Sequence, residues 1–221
     1  LKRLAIVVLV ILPLLYGGAE VAAAAYAEGV LAETAARYDP AASEVSADVS
    51  FPFLLDFALS SSVDRVVLEI EHVDLDRFLA DRVSVVLLGV HLDRARTLSR
   101  GEPVVESIDR LEAVIELSAN EVSKILPEGF RFEFSEGGAR LLGPGTETAV
   151  TFAVLGPGTI GFESASGPLP RGIPSSWEFS KIPLVACLDE ISLEGGLLKV
   201  RCAEDDPPAR YPPDVGAAPQ G

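Results

Sequence analysis

Apolar side chains recur at every second position through much of the chain beyond residue 60, and that spacing predicts β-strands. In "VDRVVLEIEHV", Val66, Leu68 and Ile70 alternate with Val67, Glu69 and Glu71, the pattern of a strand with one buried face. Leu111, Ala113, Ile115 and Leu117 alternate with Glu112, Val114 and Glu116 in the same way. So do Phe130, Phe132 and Phe134 with Arg131, Glu133 and Ser135. Residues 149–155 and 159–164 predict two more strands joined by a Gly156-Pro157-Gly158 turn. Residues 83–92, "VSVVLLGVHL", are apolar at both parities, which predicts a strand covered on both faces.

Helical spacing appears in three places. Residues 19–38 are Ala-rich, with Ala22, Tyr26 and Val30 on one face, and Asp39-Pro40 ends the helix. "FPFLLDFALSS", residues 51–61, predicts a short apolar helix with Pro52 in its first turn. In "SANEVSKIL", Ser118 and Glu121 have the spacing of a capping box, and Val122, Ile125 and Leu126 form one apolar face. The order of helix, strands, short helix and strands reads as α+β, a curved and mainly antiparallel sheet wrapped around one or two helices.

"CLDEISLEGGLLKVRC" predicts a hairpin turning on Gly195-Gly196, which puts Ile191 and Leu193 on the same face as Leu198 and Val200. Cys187 and Cys202 fall on that face one pair out of direct opposition, about 7–8 Å apart. A disulfide wants Cα atoms within about 6.8 Å. A four-residue loop from Leu193 to Gly196 would bring the cysteines opposite each other. The alternative is two buried thiols packed as small hydrophobes.

The ends differ from this body. Lys2 and Arg3 precede an apolar run from Leu4 to Tyr16, followed by Ala22 to Ala25, as in an export signal or an uncleaved anchor. Export implies an oxidising compartment and favours a Cys187–Cys202 bridge. The chain starts at Leu1 and has no Met, which reads as a fragment or processed product. Beyond residue 203 the tail is rich in Pro and poor in large apolar residues, so disorder is expected there. The expected organisation is a signal or anchor at 1–19, a helix at 20–39, one α+β domain at 40–203 and a tail at 204–221.

Composition narrows the function. Eighteen Lys and Arg stand against 33 Asp and Glu, a net charge of −15, which disfavours nucleic acid. Two His and two Cys, far apart, leave no metal cluster, and no cofactor motif is present. His72, between Glu71 and Asp74, reads as a solvated strand residue rather than a metal ligand or general base. The two GPGT sequences, at 143–146 and 156–159, read as β-turns because no helix pattern follows either. The acidic pairs Asp74/Asp76 and Asp205/Asp206 show no cleft that would make them catalytic. Arg94, Arg96 and Arg100 follow the doubly apolar strand, either as a receptor for an anionic headgroup or as a solvated loop paired to Asp93 and Glu102. Mean hydropathy of +0.33 permits a dry core or a cavity filled by something apolar.

"VSFPFLLDF", "VDRVVLEIEHVDL", "VSVVLLGVHL", "ELSANEVSKIL" and "IPLVACLDEISLEGGLLKV", in that order over residues 20–202, resemble the LmeA family of phospholipid-binding bacterial envelope proteins. The resemblance lies in the order of the segments, and the tail and both cysteines fall outside its pattern. It implies a tubular lipid-binding fold without a catalytic constellation, exported to the periplasmic side of the cytoplasmic membrane. It also implies binding of phospholipids, including phosphoinositides, contact with the membrane surface, and a part in lipoglycan or envelope lipid assembly. On that reading the acyl chains lie in a groove lined by Phe51, Phe53, Leu54, Val86, Leu88, Val90, Phe132 and Phe152, with Arg94 and Arg96 at the headgroup. The competing reading is an envelope scaffold or protein-interaction module with a dry core. A glycan hydrolase would need a carboxylate pair in a cleft, and none can be nominated.

Overall fold

The structure, a computed structural model, describes residues 17–33, 44–50, 60–75, 78–100, 104–136, 138–156, 158–165, 167–178 and 187–207. The segment before residue 17 expected to direct export, the apolar segment 51–59 and the tail from residue 208 lie outside the described residues.

A helix, α1, covers residues 17–33. Strands β1 (Glu44–Val49), β2 (Ser62–Asp74) and β3 (Leu79–Leu92) follow, then the short helix α2 (Arg94–Arg100) and β4 (Val105–Ser118). After α3 (Ala119–Ser123) come β5 (Arg131–Ser135), β6 (Gly138–Gly143), β7 (Thr146–Gly156), β8 (Thr159–Ser164) and β9 (Ser176–Glu178). The last hairpin is β10 (Leu188–Glu194) and β11 (Leu197–Asp205). The first sheet has six strands in the order β1-β2-β3-β4-β11-β10, and the second has five, β5 to β9 in sequence order. All neighbours pair antiparallel. The fold is therefore α+β and mainly antiparallel, with β1, β6, β9 and α2 in addition to the elements expected from pattern.

Two turns follow from their residues. Gly145 at φ 70° closes the β6–β7 hairpin, so the GPGT at 143–146 is a turn, and Gly158 at φ 67° stands between β7 and β8. The capping box at α3 is rewired. Ser118 Oγ accepts from the Glu121 N–H at 3.5 Å, but the Ser118 N–H donates to Asp81 at 2.8 Å. The Glu121 carboxylate accepts instead from the Leu79 N–H at 2.8 Å and pairs with Lys124 at 2.6 Å. The cap thus ties α3 to the start of β3.

The first sheet is kinked along two lines. Val63 and Val66 are buried with Asp64 and Arg65 exposed between them; Ile108 and Leu111 are buried with Asp109 and Arg110 exposed between them. Leu87 and Val90 stand at the matching places on β3. Burial therefore steps by three instead of two across β2, β3 and β4, while the β2–β3 pairing continues on both sides without an inserted residue and the β3–β4 ladder shifts only between His91 and Leu92. Gly89 sits on this line at φ 59°, in the left-handed region open to glycine. A second line crosses at His72, φ 56°, where Ala80 and Val83 are buried around exposed Asp81 and Arg82. The apolar run at 83–92 is therefore one buried face whose parity switches at Gly89. Val86 and Leu88, on the opposite face, are partly buried, as are Val85 and Leu87.

Two apolar clusters result. The larger one lies between the sheets and joins Leu111, Ala113, Ile115, Leu117, Leu198 and Val200 to Phe132, Leu141, Phe152, Ile160, Phe162 and Trp177. The smaller one packs Ala27 and Leu31 of α1 against Val49, Val63, Val66, Val90 and Leu92. Glu28 of α1 accepts from the Val49 N–H at 3.3 Å, fixing the helix to the edge strand. Leu87 touches both clusters.

Candidate functional site

Pairing places the apolar inner face of the first sheet in rows, because directly opposed residues share a face. One row is Val45, Ile70, Val83, Ile115 and Val200, and the next is Ala47, Leu68, Val85, Ala113 and Cys202. Val200, Ile115 and Val83 are buried, at 0%, 2% and 6% exposure. Ile70 and Val45, in the same row, are only partly buried, as are Leu68 and Ala47 in the next. The large cluster takes in β3, β4, β10, β11 and Val73 of β2 with the second sheet, and among the described residues it does not reach Val45, Ala47, Leu68 or Ile70. The result is an apolar strip of Val45, Ala47 and Ile70 continued by Leu68, which also packs on the small cluster of α1.

The opposite face carries ion pairs around partly buried Val67, Val86, Leu88 and Val114. Glu71 pairs with Arg82 at 3.2 Å, Lys199 with Glu116 at 3.1 Å, Arg201 with Glu194 at 3.0 Å and Arg110 with Glu112 at 2.8 Å. Hydrogen bonding to Glu116 first, then its charge, raises the Lys199 ammonium above the ordinary lysine value. The Glu194 carboxyl is lowered, chiefly by the Ser192 hydroxyl and by Lys199.

The residues expected to line one groove are not brought together. Val86 stands between Val67 and Glu112, and Leu88 between Arg65 and Arg110, both on the charged outer face. The parity switch at Gly89 puts them there. Val90 is buried in the small cluster with α1. Phe132 and Phe152 belong to an aromatic cluster: their rings lie 5.3 Å apart, Phe132 is 5.0 Å from Phe162, and Phe152 is 6.0 Å from Trp177. Those rings fill the space between the sheets with one another. Phe51, Phe53 and Leu54 lie outside the described residues. Arg94 and Arg96 are exposed on α2, and Arg96 pairs with Asp93 at 3.3 Å, the local ion pair of the solvated-loop alternative.

Cys187 and Cys202 form a disulfide with Cα atoms 5.0 Å apart. The hairpin keeps its two-residue Gly195-Gly196 turn, with Glu194 opposite Leu197. A register shift between Leu188 and Glu190, not a longer loop, places Leu188 opposite Cys202.

Among the described residues no His, Cys, Asp and Glu group of three or more could hold a metal ion, and no helix is long and apolar enough to cross a membrane. Val45, Ala47 and Val49 were legible as an alternating run in "EVSADV", flanked by charges, but the run is short. Comparison with protein-family models, curated proteins and solved structures finds no match.

Proposed function

We propose that this chain is an exported, non-enzymatic phospholipid-binding protein of a cell envelope, which holds acyl chains against the inner face of its first sheet. One observation carries the reading: the apolar rows continue to Val45, Ala47, Leu68 and Ile70 after the second sheet has ceased to bury them. Such a strip is stabilised by covering it with hydrocarbon, at about 25 cal/mol per Å². The ordered resemblance to LmeA proteins supports the same reading, and the Cys187–Cys202 bridge fits an oxidising compartment. A part in lipoglycan or envelope lipid assembly, and phosphoinositides among the ligands, follow from the resemblance alone. The aromatic packing of Phe132, Phe152, Phe162 and Trp177 favours a second reading, a dry-cored scaffold or interaction module.

Native mass spectrometry separates the two. The protein should retain phospholipid, Ile70→Glu should lose it, and Val86→Glu on the opposite face should keep it. Repeated absence of lipid from the folded wild type supports the scaffold instead.

A further inference from the structure

Among the described residues the acyl strip is open on one side only. At one end Val49 and Val66 are buried against Ala27 of α1. At the other end Val73 packs on the large cluster, and towards the middle of the sheet Val83 is buried in it. The remaining side is β1, the edge strand of the sheet. A headgroup whose acyl chain lies on the strip therefore leaves past β1.

The charge at that edge has one sign. Glu44 and Asp48 are exposed on β1, where Glu44 stands directly opposite Glu71, and Ser46 opposite Glu69. Glu28 reaches the same edge from α1, accepting from the Val49 N–H. Arg82 offsets Glu71 at 3.2 Å. Over residues 17–33, 44–50 and 60–75, nine Asp and Glu stand against one Arg and no Lys. Alternation turns Glu44, Asp48 and Glu69 to the outer face, so they act on a departing headgroup through their field rather than by contact. Such a field extends about 10 Å at 0.1 M salt, which spans the thickness of a sheet.

We infer that the strip selects phospholipids with a zwitterionic, ammonium-bearing headgroup of the phosphatidylethanolamine kind and discriminates against anionic ones. This selectivity rests on the proposed acyl-chain binding and names the class of lipid that it takes. Both classes carry a phosphate. The ammonium cancels its charge and is drawn to the carboxylates, whereas phosphatidylglycerol or a phosphoinositide brings a net negative charge to an edge already holding several. The chain thereby departs from the phosphoinositides that the resemblance implies.

The test offers the full chain vesicles of equimolar phosphatidylethanolamine and phosphatidylglycerol with identical acyl chains, and identifies the lipid it retains by mass spectrometry. Phosphatidylethanolamine should exceed phosphatidylglycerol about tenfold at about 20 mM salt and approach parity near about 1 M, where the field shrinks to about 3 Å. Glu44→Gln combined with Asp48→Asn should cut the preference about threefold with total lipid unchanged. Glu133→Gln combined with Glu163→Gln, both exposed on the second sheet, removes the same charge elsewhere and should leave the preference intact. Phosphatidylglycerol retained as well as phosphatidylethanolamine, a preference indifferent to salt, or equal effects of the two double variants overturns the selectivity while acyl-chain binding stands. Retention of no lipid at all overturns the acyl strip and the selectivity with it.

Discussion

Ile70 lies directly opposite Val83 in the β2–β3 ladder, and only Val83 is buried. The same side chain chemistry on the same face of the same sheet therefore has two environments, set by how far the second sheet reaches. Towards β11 the face is dry core; towards β1 it is a partly covered strip. A buried aliphatic side chain is worth about 1.5–3 kcal/mol relative to an exposed one. The four residues of the strip are thus stabilised below what the core obtains per residue, and a hydrocarbon ligand would make up the difference.

The kinks that shape this sheet rest on two left-handed residues of different kinds. Gly89 takes φ 59° freely, and a Cβ added there would collide with the Asp109 carboxylate. Gly89→Ala is expected to cost about 1–3 kcal/mol in urea unfolding. His72 holds φ 56° with a side chain attached, which costs about 1–2 kcal/mol. His72→Gly should gain up to ~1 kcal/mol after the extra entropy of glycine in the unfolded chain. A destabilised His72→Gly protein would show that the histidine side chain contributes more than its backbone strain costs.

How much of this could be read from the chain depends on whether the backbone keeps its pleat. Phe132 and Phe134, Leu111 to Leu117, and the Gly195-Gly196 hairpin lie in regular segments, and their elements and faces follow from alternation. Val86 and Leu88 stand on the other face from Val90 because a positive φ at Gly89 shifts the parity, and no residue-type pattern reports a φ angle. The disulfide was legible as a near pair, but the shift between Leu188 and Glu190 that completes it was not. Glu121 was legible as a cap partner, while its bond to Leu79 needs the return of β3 beside α3.

The bridge closes a separation of 15 residues. Replacing Cys187 and Cys202 by serine should cost about 3 kcal/mol and lower the melting temperature, measured against the oxidised protein. Equal melting temperatures with and without reductant would contradict this.

Glu121 supplies a pH dependence. Burial pushes its carboxyl up, but the Lys124 hydrogen bond, the Leu79 N–H and the Lys124 charge together hold it below the ordinary glutamate value of 4.5. Because the folded form is the stronger acid, this contribution is complete above pH ~4.5 and is lost as pH falls through the lowered value. Acid unfolding curves of the wild type and Glu121→Gln should therefore converge as the pH falls through the lowered value, with the wild type more stable at pH 7. Parallel curves throughout would refute the assignment.

The position of the hydrocarbon is the central claim, and photo-crosslinking measures it directly. A phospholipid carrying a diazirine near the end of one acyl chain, bound to the full chain and irradiated, should label Val45, Ala47, Leu68 or Ile70 on digestion and mass analysis. Labelling confined to the outer-face residues Val86 and Leu88, or no labelling at saturating lipid, would contradict it.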